Sequence, residues 1–296
     1  MSSYFDNKDL FTGPKVNQHG SHMVMTNVMR TSKVKYVNID TKFRDEYNLN
    51  VTSDYNITLP ERITDVSSMS VTNIEIPMTF FNISDNLGNN AMKIGTIPFV
   101  VPDGEYTIIT LVAALVTRAN ALTLAITFTL SGTNKITITT TSGTNAIDFG
   151  VDSSGGFAKY NFKSRLGWLM GFRQQTYVVA SGSPITSEFL ADLSGPRYLY
   201  LVVDEFNGAG NQKSFISPLP SSVINKNILA RIPMNRQIYA FMSVLPLSTD
   251  VLLSDIRSYT GKVDIQRINV QLVNENGIPM NLNGADFSFC LRLEHE

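Results

Sequence analysis

Near the C-terminal end, Phe287, Phe289, Leu291 and Leu293 alternate with Asp286, Ser288, Cys290 and Arg292. Side chains along a β-strand point to opposite faces with a period of two, so this run is a strand with one buried and one wet face. Upstream, Val263 and Ile265 keep one phase, whereas Ile268, Val270 and Leu272 keep the other. A one-residue slip turns every later side chain to the wrong face unless the strand absorbs an extra residue. A β-bulge is therefore expected at Gln266-Arg267, with Ile265 and Ile268 both facing the core. The two runs are expected to pair with each other and close the chain.

The same period recurs elsewhere. Leu124, Ile126, Phe128 and Leu130 share one face, Ser131-Gly-Thr-Asn134 is turn chemistry, and Ile136 and Ile138 return, which reads as a hairpin. Tyr198 to Val203 is apolar on both faces, as a central covered strand should be, and Ile228–Ile232 and Ile238–Met242 are further strand candidates. Helix is scarce. Thr107 can cap a segment carrying Ile108, Leu111, Val112, Leu115 and Leu122 at helical spacing, and a short second helix is expected within Ser164–Met170. Many short strands with turns at Gly, Pro and Asn predict a mostly-β protein, a β-sandwich.

Few residues are equipped for chemistry. The chain has three histidines and one cysteine in 296 residues. Cys290 cannot form an internal disulfide and has no histidine near it in sequence except His295, so neither a thiol nor a serine nucleophile finds its base. His19 and His22 lie in a Gly-containing, non-helical segment and make a poor metal pair. Asp45-Glu46 and Asp204-Glu205 are adjacent carboxylates whose side chains should diverge along a strand, and Gly208-Ala-Gly210 lacks the Lys-Ser/Thr of a phosphate loop. A net charge of -1 argues against a basic nucleic-acid surface, the modestly basic N-terminal arm excepted, and a charged fraction of 17% is thin cover for a free-standing domain. No enzyme activity, cofactor, metal, nucleic acid or small-molecule substrate is expected. MSSYFDNKDL lacks the apolar run of a secretory leader, which places the chain in a reducing compartment.

Residues 1–35 read as an extended N-terminal arm without a sustained period, followed by one β-sandwich domain over 36–296. Tyr4, Phe5, Leu10, Phe11, Met23, Met25 and Met29 are spaced along the arm as separate apolar anchors, and methionine suits surfaces that must adapt to a partner. Tyr36-Val-Asn-Ile39 then begins like a strand and runs into a knot of charge, Asp40 to Glu46, around Phe43. Arg44, Asp45 and Glu46 are the candidates there for pairing within the domain or across an interface, and a plain solvated turn explains them equally well.

An ordered series of short strings carries a resemblance. Tyr36-Val-Asn-Ile-Asp40 with Phe43-Arg44 precedes Ile57-Thr-Leu-Pro60 and Val66-Ser-Ser-Met-Ser-Val-Thr-Asn-Ile-Glu-Ile-Pro77. Asn89-Asn90, Pro102-Asp-Gly-Glu-Tyr106, Leu166-Gly-Trp-Leu-Met-Gly-Phe172 and Tyr198-Leu-Tyr-Leu-Val-Val-Asp204 follow, then Asn276-Gly277 and Leu282 to Phe289. From about Tyr36 onward the chain resembles the minor capsid and penton-type structural proteins of nucleocytoplasmic large DNA viruses. The resemblance implies a jelly-roll-like antiparallel β-sandwich with one or two short inserted helices. It implies a minor capsid protein of an icosahedral virion, assembled in the host cytoplasm and linking or supporting major capsid capsomers through β edges and the arm. Its partners would be the major capsid protein, other minor capsid proteins and further copies of itself; no feature calls for contact with an internal membrane. Two rival roles stand beside it: a penton protein at the fivefold vertices and, more distantly, a carbohydrate-binding jelly-roll module resting on Trp168.

Overall fold

Alternation at Phe287–Leu293 turns four large side chains into one core, where each is at most 2% exposed. The computed structural model describes residues 32–49, 51–156, 162–206, 227–248, 253–254 and 256–296. The chain opens with β1 (Lys33–Asp40) and a 3-10 turn at Thr41–Phe43, then enters β2 (Asp54–Pro77). An inserted stretch follows: β3 (Ala91–Ile94), β4 (Ile97–Val100), α1 (Ile108–Ala121), β5 (Ile126–Leu130), β6 (Ile136–Thr140), β7 (Thr144–Asp148), α2 (Leu166–Leu169), β8 (Thr176–Ala180) and β9 (Ile185–Thr186). The chain returns through β10 (Tyr198–Asp204), β11 (Ile228–Pro233), β12 (Val244–Ser248), β13 (Leu253–Ser254), β14 (Arg257–Val273) and β15 (Ser288–His295).

The pairings define the topology. β1 pairs with β15, β15 with the second half of β2 (residues 66–75), and the end of β2 with β12. The first half of β2 pairs mainly with β14, β14 with β10, and β10 with β11, which carries the short β13 at its edge. Every pair is antiparallel. One continuous hydrogen-bonded sheet is thus folded on itself into two layers, β1-β15-β2-β12 and β2-β14-β10-β11. Eight strand segments laid out this way form a jelly roll. β2 serves both layers because it bends: Asp65 has φ 57, and the register against β14 shifts on both sides of Ile265. Such bends and bulges are how a strand passes from one sheet to another.

Between the layers lies one core, with Ile39, Ile57, Ile74 and Ile76 meeting Leu199, Leu201, Ile232, Val270 and Leu291. The slip expected on β14 is present, since Ile265 and Ile268 are 1% and 0% exposed although three apart. Two expectations are corrected. The strands holding Val263–Leu272 and Phe287–Leu293 do not pair with each other, because β2 lies between them. Ile238–Met242 is not a strand. The Asn235 side chain accepts from the N–H groups of Gln237 and Ile238, Tyr239 N–H donates to Asn235 C=O, and this local turn leaves Ile238 and Met242 outside. The strand forms one step later, as β12, and Pro246 is tolerated there because β12 pairs on one side only.

The insertion between β2 and β10 builds a second core of its own from both helices and its small sheets, with Phe99, Leu111, Leu115, Phe128, Ile138, Phe149, Leu166 and Phe172 buried. The hairpin is as read, Phe128 opposite Ile138 and Leu130 opposite Ile136. α1 is as read too, with Thr107 and Thr110 making a reciprocal cap at its start. A polar neck ties insertion to jelly roll. Asn82 donates to the carbonyls of Tyr106 (2.7 Å) and Leu193 (3.1 Å) and accepts from Tyr106 N–H. Arg236 reaches both oxygens of Glu105 at 2.9 Å and the Phe80 carbonyl at 2.7 Å. Among the described residues, no helix is long and apolar enough to cross a membrane.

Candidate assembly surface

The knot of charge after β1 is a corner that leads the chain from β1 into β2, and Asp40, Arg44 and Asp45 find their partners within the molecule. Thr41 N–H donates to the Phe287 carbonyl, while the Thr41 hydroxyl accepts from Phe287 N–H and donates to Asp286 at 2.7 Å. Arg44, with a side chain only 7% exposed, donates to the Thr41 carbonyl (2.8 Å), to Asp286 Oδ1 (3.2 Å) and to the Tyr47 carbonyl (3.3 Å), and its guanidinium lies 4.1 Å from the Tyr47 ring centre. Asp45 accepts from the Thr58 N–H (3.2 Å) and hydroxyl (2.7 Å) on β2. Asp40 caps the 3-10 turn and pairs with Lys42 at 2.9 Å, which raises the Lys42 pKa. Glu46 sits in the left-handed region at φ 51, exposed, and its carbonyl accepts from Leu49 N–H.

Of the residues singled out from sequence, Arg44 and Asp45 are therefore internal fasteners and Glu46 is solvated. The arm anchors Tyr4, Phe5, Leu10, Phe11, Met23, Met25 and Met29 lie outside the described residues, as do His19, His22 and Gly208-Ala-Gly210. β1 begins at Lys33, three residues before Tyr36.

Holding the corner so firmly has a consequence for side chains that composition did not single out. Phe43, Tyr47, Leu49 and Val51 are 70%, 53%, 81% and 61% exposed. Four large apolar groups within nine residues are thus presented to solvent beside a corner held by these bonds. Single exposed apolar residues are ordinary, whereas four so close in sequence make this corner a candidate contact surface. The available signal was the spacing of four apolar residues through a turn-rich, charged segment that a solvated loop would fill with polar ones.

Beside this ridge is a cleft of about 430 Å³, lined by Arg44 and Val51 on the ridge side and by Asn86, Met280, Asn281 and Leu282 opposite. Asn86 donates to the Pro279 carbonyl and accepts from Asn281 N–H, so the far wall is fastened as well. A second cleft of about 540 Å³ lies where the insertion meets β10 and the turn after β14, with Trp168, Arg197, Tyr198 and Glu275 among its walls. Burial pushes the Glu275 carboxyl above its ordinary pKa. At Trp168 the Arg173 guanidinium sits 4.0 Å from the ring centre and Phe162 lies at a near-right angle to the ring, so its aromatic surface is partly taken within the molecule.

The adjacent carboxylates are structural. Asp204 accepts from Phe206 N–H and Asn227, while Glu205 is buried against Arg257. Cys290 is a half-buried β15 residue with a free thiol. Among the described residues, no cluster of three or more His, Cys, Asp or Glu is placed to hold a metal. Arg165 was not foreseen at all: it is 1% exposed and donates to the Gly88 carbonyl at 2.7 Å, pinning the start of α2 to the loop before β3.

No family model and no curated protein matches the chain. Among solved structures, the crystal structure of mavirus penton protein aligns with 89% of this chain and 100% of its own length, at 10% identity and a TM-score of 0.43. The cryo-EM structure of the Sputnik virophage aligns with 88% of this chain and 98% of its own, at 14% identity and a TM-score of 0.39.

Proposed function

We propose that this protein is a structural component of an icosahedral virus capsid, a minor capsid protein that links or supports major capsid capsomers. The observation that carries the reading is a jelly roll whose rigid β1–β2 corner displays Phe43, Tyr47, Leu49 and Val51 to solvent. A fold alone does not name a function, since jelly rolls serve shells and lectins alike. What favours the shell is the combination of contact surface and sequence resemblance. The strings that carry that resemblance fall, in order, on β1, both halves of β2, the opening of α1, α2, β10 and the approach to β15. Trp168, which a sugar-binding role would need as a platform, is committed to Arg173 and Phe162.

In this reading the shell is assembled in the host cytoplasm, and residues 1–31, placed before β1, act as a tether whose spaced apolar anchors engage a neighbouring capsid protein. At about 3.3–3.6 Å per residue such a segment spans at most roughly 100–110 Å. Weak contacts of this kind add up when many copies are fixed in one lattice. Removing residues 1–31 is expected to leave the melting temperature of the isolated protein unchanged within error, because β1 and both cores lie beyond the cut. The same deletion should reduce incorporation into particles by an order of magnitude or more, read as copies per virion by quantitative mass spectrometry. Collapse of the isolated domain, or normal incorporation, would contradict the tether. Copy number per virion also separates a minor capsid role from a penton role.

A further inference from the structure

The corner ridge and the cleft next to it form a single patch, and Val51 belongs to both. We infer that this patch is a self-complementary interface by which the protein pairs with a second copy of itself, the ridge of each copy lying in the cleft of the other. The proposal deepens the shell reading and rests on it for its purpose.

Three features carry the choice of occupant. First, knob and hole are side by side on one surface. A two-fold axis through such a patch brings each ridge opposite the partner's cleft in one operation, which is the requirement of an isologous contact. Second, the dimensions agree. A cleft of about 430 Å³ exceeds the volume of one large aliphatic or aromatic side chain, and Leu49 is the most exposed apolar side chain of the ridge at 81%. The four ridge side chains expose on the order of 400–500 Å² of apolar surface, taking roughly 150–250 Å² per aromatic side chain. The cleft walls add little to this, so each copy covers on the order of 500–600 Å², the size of a weak, reversible contact. Third, both surfaces are already formed. Thr41, Arg44 and Asp45 hold the start of the ridge, and Asn86, Pro279 and Asn281 hold the cleft wall, which lowers the ordering cost of binding.

The test uses the full chain. Sedimentation velocity over a concentration series up to about 100 µM is expected to show a monomer–dimer equilibrium. Leu49→Asp should raise the dimer dissociation constant roughly 30-fold or more, the loss typical of a central apolar anchor. Its melting temperature should not change at a concentration where both proteins are monomeric, since an exposed side chain carries no fold. A second measurement fixes the geometry: in a Cys290→Ser background, chains carrying Leu49→Cys are mixed with chains carrying Asn281→Cys and oxidised. A mixed disulfide dimer is expected in preference to either same-site dimer. A strictly monomeric chain, a dimer unaffected by Leu49→Asp, or same-site dimers only would each overturn the proposal. So would capture of a different capsid protein by this patch with no self-association. Incorporation into particles by a chain that never dimerises would leave the shell reading standing and remove the dimer, and the two failures are thereby distinguishable.

Discussion

Arg257→Ala is expected to destabilise the protein by about 3–5 kcal/mol, the usual cost of removing one partner from a buried ion pair. The Arg257 and Glu205 side chains are 7% and 2% exposed and meet at 2.7 Å. The same guanidinium donates to the Val203 carbonyl at 2.8 Å and the Asn227 carbonyl at 2.9 Å. It thus joins the start of β14 to the end of β10 and the approach to β11. Without it, a carboxylate is left inside the fold with no counter-charge. For a chain of this size the loss corresponds to a melting temperature lower by on the order of 10 °C. Replacing both partners, as Arg257→Met with Glu205→Leu, should recover most of the difference, because no uncompensated charge remains. Equal losses for the single and double variants would show that the pair does not act as described. Tyr259 shares this environment, and burial holds its hydroxyl pKa high, so it stays neutral throughout the range of such an experiment.

Deleting Gln266 should be at least as damaging. Gln266 and Arg267 are exposed between Ile265 and Ile268, which both face the core. Removing one residue restores plain alternation and forces one half of β14 to turn over. The lesser loss exposes Val263 and Ile265, which at roughly 1.5–3 kcal/mol per buried aliphatic side chain amounts to about 3–6 kcal/mol. Substituting Gln266 by Ala keeps the residue count and should change stability by less than about 0.5 kcal/mol, as exposed sites do. Urea unfolding of the two variants gives the comparison directly; a deletion no worse than the substitution would mean that the slip is not what places these side chains.

These two variants also mark where the sequence was readable. The slip at Gln266-Arg267, the hairpin through Phe128 and Ile138, the covered strand at Tyr198–Val203 and the Thr107 cap all rest on neighbours within a few residues. Local periodicity and capping chemistry report such features faithfully. Ile57–Pro60 and Val66–Pro77 enter the sequence analysis only as separate strings of the resemblance, whereas in the fold they belong to one strand, β2, with Asp65 at the bend between layers. The partners of β2, and the position of β1 against β15, are set by pairings across most of the chain, and nothing local encodes them. Within the insertion only the hairpin and the two helices are legible, because β3, β4 and β7 to β9 are two to five residues long and the core appears only when they are assembled. Ile238–Met242 has strand-like composition, but Asn235 offers the backbone a competing local turn.

The candidate contact surface is half legible for the same reason. Charge density drew attention to Arg44, Asp45 and Glu46, but Arg44 finds its partner Asp286 at a separation of 242 residues, which converts an apparent binding group into a fastener. With Arg44 and Asp45 satisfied internally, Phe43, Tyr47, Leu49 and Val51 remain outside beside the solvated Glu46.

The most direct test of the central claim is the position of the chain in virus particles purified from infected cells, read by cryo-EM of the shell. The account predicts density for the two-layer jelly roll and its insertion at fixed icosahedral positions against the capsomers, with the Phe43–Val51 corner buried in a protein contact. Absence of the chain from purified particles, or its presence with that corner facing solvent, would contradict it.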